Sequence, residues 1–423
     1  MMRFLFAIVG GMALIGQAAS WDMGEPIVTY WAGPGFFNHP EKLTERAARQ
    51  LKEGGFNLVW TSSVEEMDVA QKYGLRAMYD LRLGNYGFHD PEKNAEIEET
   101  IARVKNHPAL FLYHHQDEPS ADAFEVLGKA RRWLARHDPI HPTWVNLLPT
   151  YASNKQLGVS GEIIGAYWQH VRLFCETYCP AFLSYDHYQF NVGGDTGDYL
   201  LNLDIVRRTS AAYGIPFMNG VQACTWRPGS LASPSAPRIP ESDELRYLVY
   251  TTLAYGAQGI YYYVYSYPGH AGSIVELDGT PTPRYEALKT LNREFVAIAR
   301  ELKGLPFGGA YMLGQQTGGV TPYCAAAGLK VEPRTPSIEL QKDARFEDSV
   351  LVTRFGPTPG RQLFMVVNLD YRKDRQVTVE ALFPLARFDA TAGKWLSADG
   401  KRLALHLPRG GGVLLRETGG LNH

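Results

Sequence analysis

From residue 26 onward the chain alternates short apolar runs with amphipathic stretches, and the alternation repeats eight times. The expected strands are 27–31, 56–61, 75–79, 109–115, 143–147, 181–186, 215–223 and 259–265. Between them lie stretches patterned as helices, at 41–53, 64–73, 91–106, 120–137, 161–177, 197–213, 241–256 and 283–303. In the third of these Ile97, Ile101 and Val104 fall at i, i+4 and i+7 and so share one helical face. Eight strand-then-helix units in succession are the count of a (β/α)8 TIM barrel, expected here over residues 21–304.

After Gly304-Leu305-Pro306 the pattern changes, and strand-like runs follow one another without helices, at 349–354, 362–369, 375–379, 388–389 and 412–416. Turn pairs such as Pro359-Gly360 and Asp399-Gly400 separate them, which predicts an antiparallel β-sandwich over 305–423. The segment 322–347 has no clear period. No cluster of reactive side chains is visible in this region, so it reads as a module packed on the barrel, with carbohydrate binding as the other reading.

At the opposite end, Arg3, an apolar run from Phe4 to Ile15 and small residues before Trp21 have the form of a signal peptide over residues 1–20, predicting a secreted or periplasmic protein. No later stretch supplies the roughly 18 uncharged apolar residues of a membrane span. Export would carry Cys175, Cys179, Cys224 and Cys324 into an oxidising compartment where a disulfide can form, though the sequence does not set a pairing. Cys175 and Cys179 lack a second close pair of ligands, so no zinc site is expected there. The 42 Lys and Arg balance 44 Asp and Glu, which argues against nucleic acid or an anionic membrane surface as partner. The oligomeric state is not legible.

Barrel enzymes place their reacting groups at the C-terminal ends of the strands. The fourth expected strand ends His114-His115-Gln116-Asp117-Glu118-Pro119, and adjacent carboxylates are costly at a barrel mouth unless used. A helix-capping role for Asp117 or Glu118 is the plain alternative. The sixth ends Tyr185-Asp186-His187-Tyr188. The seventh contributes Asn219, Gln222 and Trp226, and the eighth Tyr263 and Tyr265. Tyr30, Trp31, Trp60, Asp80, Arg82 and Asn146 come from the earlier strands. Aromatic platforms stack on sugar faces while amides, carboxylates and Arg bond hydroxyls, so a carbohydrate is the expected ligand. Neither a Gly-rich phosphate turn nor a Gly-x-Ser-x-Gly elbow is present.

The Asp117-Glu118-Pro119 element resembles the Asn-Glu-Pro element of clan A glycoside hydrolases, whose Glu is the general acid/base. The stretch 254–263, with Leu277-Asp278-Gly279-Thr280-Pro281-Thr282 and Tyr285-Glu286-Ala287-Leu288, is similar to the region from the seventh to the eighth helix of family 42-like β-galactosidases and their relatives. The resemblance spans roughly residues 26–303 and implies a glycosidase barrel with a trailing β domain, no metal and no cofactor. Two positions depart from the clan pattern. Gln222 stands where the clan has its nucleophilic Glu, and an amide cannot form a glycosyl ester. Asp117 stands where the clan has Asn.

Three readings follow. In the first, Glu118 is the general acid of a secreted glycoside hydrolase and Asp186 its partner, with Asp117 or Glu276 as the other carboxylates available. A carboxyl separation of about 5 Å would imply retention and about 6.5–9.5 Å inversion. In the second, the barrel binds glycans without cutting them. In the third, His114, His115, Asp117, Asp186 and His187 hold a metal, although strand alternation sends His114 and His115 to opposite faces. His115, His187, Tyr188 and Glu276 complete the expected substrate contacts of the first reading.

Overall fold

The structure is a computed structural model, and it describes residues 21–333, 348–398 and 400–419. The expected leader at 1–20 lies outside the described residues, as do 334–347 of the segment without a period and Asp399 of one expected turn.

All eight expected strands of the first region are present, as Ile27–Tyr30, Leu58–Thr61, Arg76–Asp80, Leu110–Asp117, Thr143–Asn146, Leu183–His187, Phe217–Gln222 and Gly259–Tyr263. They pair in parallel in two four-stranded sheets, one ordered first-eighth-seventh-sixth and the other second-third-fourth-fifth. Leu147, just past the fifth strand, bridges Tyr185 of the sixth. Beside the other seam Asn57 N–H donates to the Val28 carbonyl at 3.0 Å. The arrangement is consistent with a (β/α)8 barrel.

Helices intervene where the 3.6-residue period predicts them, and their starts are set by local chemistry. Thr44, Ser63 and Asp90 accept bonds from first-turn N–H groups of the helices Glu45–Glu53, Val64–Lys72 and Pro91–Val104. Pro91 opens the last of these, where a missing N–H leaves no bond unmade.

Side-chain alternation along the strands decides what reaches the interior. Trp31 meets Trp60 at 5.6 Å and Trp144 at 5.5 Å between ring centroids, and Trp60 meets His114 at 4.8 Å. Together they form an aromatic plug. Tyr261 joins it, 5.3 Å from Trp144 and 5.7 Å from Trp31. Its ring occupies space left by Gly220 on the adjacent strand, where any Cβ would land on the Tyr261 ring and hydroxyl.

The C-terminal region holds a seven-stranded sheet in the order Thr321–Pro322, Phe307–Leu313, Val350–Phe355, Leu363–Asn368, Gly412–Glu417, Leu385–Asp389, Lys394–Trp395. A three-stranded sheet of Lys330–Pro333, Arg375–Glu380 and Arg402–Leu407 accompanies it. Pairing is antiparallel except between Phe307–Leu313 and Thr321–Pro322. Val350, Val352, Phe364, Val366 and Leu415 share one buried cluster with Val377, Val379, Leu405 and Leu407 of the smaller sheet. The intervening residues Leu351, Met365, Val367 and Leu414 belong instead to the cluster of the first region, with Leu253 and Ile298. The period of two therefore gives the large sheet two apolar faces, one of them turned to the helices of the first region.

The strands at 307–313, 330–333 and 402–407 were not expected from the sequence. Gly308-Gly309 and Pro333 read as breakers, and the Arg402–Leu407 run alternates so briefly that it resembles a turn flank. The four cysteines are free thiols, Cys175 and Cys224 buried, Cys179 and Cys324 exposed. Among the described residues no helix is long and apolar enough to cross a membrane.

Candidate active site

Past the ends of the fourth, fifth and sixth strands and the loops after the seventh and eighth lies a cleft of about 380 Å³. Its lining includes Trp31, Asp117, Glu118, Asn146, Tyr151, Asp186, Tyr188, Trp226, Arg227 and Tyr263. Tyr188, Trp226 and Tyr263 make an aromatic wall, with ring centroids 5.0 Å apart for Tyr188 and Trp226, 5.2 Å for Tyr188 and Tyr263, and 5.5 Å for Trp226 and Tyr263.

Asn146, 3% exposed, organises the floor. Its Nδ2 donates to Asp117 Oδ1 at 3.2 Å and to Asp186 Oδ1 at 3.1 Å. Its Oδ1 accepts from Tyr261 OH at 2.6 Å and Ser184 Oγ at 3.2 Å. Carboxylates only accept, so the amide nitrogen faces them and the hydroxyls take the other end. Burial, aggravated by the carboxylates nearby, holds the Tyr261 hydroxyl protonated far above its ordinary range, which keeps it a donor.

Glu118 sits at a φ of 43°, in the left-handed region that non-glycine residues seldom adopt. Its N–H is held by the Asn146 carbonyl at 2.9 Å, and Pro119 follows, disfavouring a helical conformation at Glu118. Strain of this kind gathers at functional sites. Desolvation raises the Glu118 carboxyl well above the ordinary Glu range, and the charges of Asp186 and Asp117 and a hydrogen bond with Asp186 push it further up. Asp186, 3% exposed, is raised by the same burial and by Asp117, against the pull of bonds from Tyr188 and Asn146. Both carboxyls are thus pushed toward the protonated form, and they titrate as a pair. Asp117 is raised more simply, by desolvation, with Asn146 opposing. Asp117 and Glu118 both touch solvent, because the cleft is open, yet protein surrounds them on its walls, so their desolvation is partial.

Glu118 and Asp186 lie near enough for Asp186 to act on the Glu118 proton. Asp117 and Asp186 are spaced by a single amide nitrogen.

Other expected site residues lie elsewhere. Tyr30 is buried and donates to the Pro34 carbonyl at 2.7 Å, and Trp60 Nε1 donates to the Tyr30 carbonyl at 2.8 Å. Asp80 bonds the Arg82 N–H at 3.0 Å and His114 Nδ1 at 3.2 Å. Arg82 itself lies 5.9 Å from the Phe37 ring. His115 Nδ1 meets Tyr178 OH of a helix at 2.9 Å, and His187 bonds Asp198 at 3.1 Å, edge-on to the Tyr151 ring. Asn219 faces the helices, donating to Thr252 Oγ1 at 2.8 Å and Tyr199 OH at 3.2 Å. Tyr265 donates to Gln50 at 3.0 Å, and Glu276 closes an exposed turn with Thr280. Gln222 is fully buried, accepting from Phe190 N–H at 3.0 Å and donating to the carbonyls of Phe190 at 3.0 Å and Arg238 at 2.7 Å. It fastens two loops and does not line the cleft. Among the described residues no group of His, Cys, Asp and Glu is arranged to hold a metal ion.

Leu148, Pro149, Ala152 and Gln156 line the cleft and carry no reactive signal in the sequence. The Ser153/Gln156 capping box of the short helix Asn154–Leu157 was the one local cue that this loop is ordered.

No family model matches the chain, and no curated protein matches its sequence. Among solved structures, the β-galactosidase from Bacillus circulans sp. alkalophilus superposes with a TM-score of 0.60 at 10% identity, covering 93% of this chain and 99% of that one. A glycoside hydrolase structure superposes with a TM-score of 0.50 at 15% identity, covering 92% of each chain. The chain shares the fold of these glycoside hydrolases along nearly its whole length.

Proposed function

We propose that the protein is a glycoside hydrolase in which Glu118 is the general acid/base and Asp186 its partner. The observation that carries the reading is the grouping of carboxyls: Glu118, its carboxyl raised by burial and by Asp186, shares with Asp186 and Asp117 a cleft walled by Tyr188, Trp226 and Tyr263. Glu118 would give its proton to the glycosidic oxygen as the C1–O bond breaks and the bonding electrons leave with that oxygen. Asp186, ionised and steadied by Asn146 and Tyr188, would meet the positive charge developing at C1, either directly or through a water it deprotonates. Asp117, sharing the Asn146 amide, would keep the Glu118 proton in place by its charge. The residues 21–304 would form a closed (β/α)8 barrel and 305–423 a β-sandwich, in a protein exported with loss of residues 1–20.

The test is hydrolysis of a panel of aryl glycosides and plant or algal oligosaccharides by the purified protein, with Glu118→Gln as control. No turnover of any glycoside by the wild type would sink the proposal. One observation favours a second reading, a glycan-binding barrel without hydrolysis: Gln222, at the position that the resemblance gives to the clan's nucleophile, is fully committed to loop carbonyls. Glycan affinity without turnover is its expected result.

A further inference from the structure

We propose that the cleft selects a sugar carrying an anionic substituent, a carboxylate or a sulfate, and that Arg227 receives it. The inference rests on the glycoside hydrolase reading and names the substrate class of the same site. Arg227 follows Trp226 on the loop after the seventh strand, and both line the cleft that holds Asp117, Glu118 and Asp186. It is exposed, and its N–H bonds Thr225 Oγ1 at 3.3 Å, while among the described residues its guanidinium forms no ion pair. Arg207 and Arg238, by contrast, are paired, with Asp204 at 2.6 Å and with Glu244 at 2.6 Å.

The absence of pairing is informative because three carboxylates share the cleft. No ion pair joins the Arg227 guanidinium to Asp117, Glu118 or Asp186, so its charge remains available to a ligand in the cleft. A sugar ring stacked on the Trp226 and Tyr263 rings, with its glycosidic oxygen at Glu118, would reach from the acid centre toward Arg227. A planar guanidinium offers paired donors to carboxylate or sulfate oxygens, whereas a neutral hydroxymethyl group would leave its charge unanswered. The remaining floor of the cleft is acidic, so an anionic group turned the wrong way is repelled, and binding in one orientation is favoured.

The experiment compares wild type, Arg227→Gln and Arg227→Lys on three oligosaccharide probes: oligogalacturonate, a sulfated galactan fragment and a neutral galactan fragment. Affinity is measured by calorimetry at low and high salt, and kcat/KM on the corresponding aryl glycosides. The expected result is tighter binding of one anionic probe than of the neutral one, weakened by salt, with that preference reduced at least tenfold in Arg227→Gln and partly restored in Arg227→Lys. Preference for the uronate assigns a carboxylate, and preference for the galactan sulfate assigns a sulfate. Equal or better binding of the neutral probe, or an anionic preference untouched by Arg227→Gln, overturns the inference. Because affinity is read separately from turnover, hydrolysis of neutral glycosides alone would overturn this inference and leave the glycosidase reading standing; absence of all hydrolysis with a retained, Arg227-dependent anionic preference would do the reverse.

Discussion

Gly220 and Tyr261 lie side by side on neighbouring parallel strands, and the tyrosine ring fills the volume that a side chain on Gly220 would need. Through that vacancy the Tyr261 hydroxyl reaches Asn146 Oδ1 at 2.6 Å, so the identity of a residue with no side chain sets the aim of the amide beneath the carboxylates. Gly220→Ala is expected to destabilise the fold by roughly 1–3 kcal/mol through overpacking. It should also lower kcat by more than the loss of folded protein explains, because Tyr261 is displaced. Denaturant titration beside kcat on the folded fraction separates the two, and an unchanged kcat would show that Tyr261 has no bearing on the site.

The amide itself gives a sharper prediction. Asn146→Leu removes the one donor that both Asp117 and Asp186 receive, with similar volume. Hydrogen bonds to the charged form lower a carboxyl's pKa, so their loss should raise both acids further. If Asp186 acts ionised, the acid limb of the kcat profile moves to higher pH, and activity at neutral pH falls at least about tenfold with partial recovery as the pH is raised. A flat loss at all pH values would mean the residue only supports the fold.

The strand count and the Asp117-Glu118-Pro119 element were legible because both are local: a period of two giving way to 3.6, and carboxylates at a strand end. Which residues face inward was not. The fourth strand carries a register irregularity between His114 and Gln116, so parity counted from Leu110 fails before it reaches Asp117. Asn219, Tyr265 and His115 were assigned to the rim by closeness in sequence to strand ends, but alternation turns them toward helices and neighbouring loops. Gln222 has a parity that suits the interior, and only residues 16 to 32 positions away, Arg238 and Phe190, reveal that its amide is taken. Such long-range capture leaves no trace in local pattern. Leu351, Met365, Val367 and Leu414 illustrate the same limit, since a two-faced apolar strand says that both sides are covered and not by what.

The contact between the two regions is extensive enough to test by truncation. Tyr371 packs its ring 5.6 Å from Tyr247 and 5.8 Å from Phe190, and its hydroxyl donates to Asp195 at 2.6 Å. Phe190 is also the residue whose backbone Gln222 holds. A fragment ending at residue 304 would expose the apolar face that Leu351, Met365 and Leu414 cover, and is expected to be insoluble. A soluble, cooperatively melting 21–304 fragment would show instead that the regions are independent.

Stability should depend on pH in a direction set by the raised carboxyls. Glu118 and Asp186 both bind protons more tightly in the folded protein than in the unfolded chain, mainly because of desolvation. The sign follows from proton uptake: between the ordinary carboxylate range near about 4 and their raised values, the native state holds more protons, so stability falls as the pH rises through that window. Glu118→Gln removes one of the two groups. Its melting temperature should exceed the wild type's at alkaline pH by more than at pH 4, and an equal difference at both would contradict the assignment of a raised Glu118.

The same substitution tests the chemistry. If Glu118 protonates a departing glycosidic oxygen, Glu118→Gln should cut hydrolysis of natural glycans, whose leaving groups are poor, by about 10²–10⁴-fold. Aryl glycosides with activated phenolic leaving groups depart without a proton and should lose far less. Affinity should be largely kept, since Gln preserves the shape. Asp186→Asn ought to depress both substrate types alike, because charge at C1 must be met whatever the leaving group, and it removes the partner that Glu118 bonds in the free enzyme. Near-normal hydrolysis of natural glycans by Glu118→Gln would take the acid role away from the strained residue at the end of the fourth strand. A harmless Asp186→Asn would instead transfer the second role to Asp117, the other carboxylate that the Asn146 amide holds.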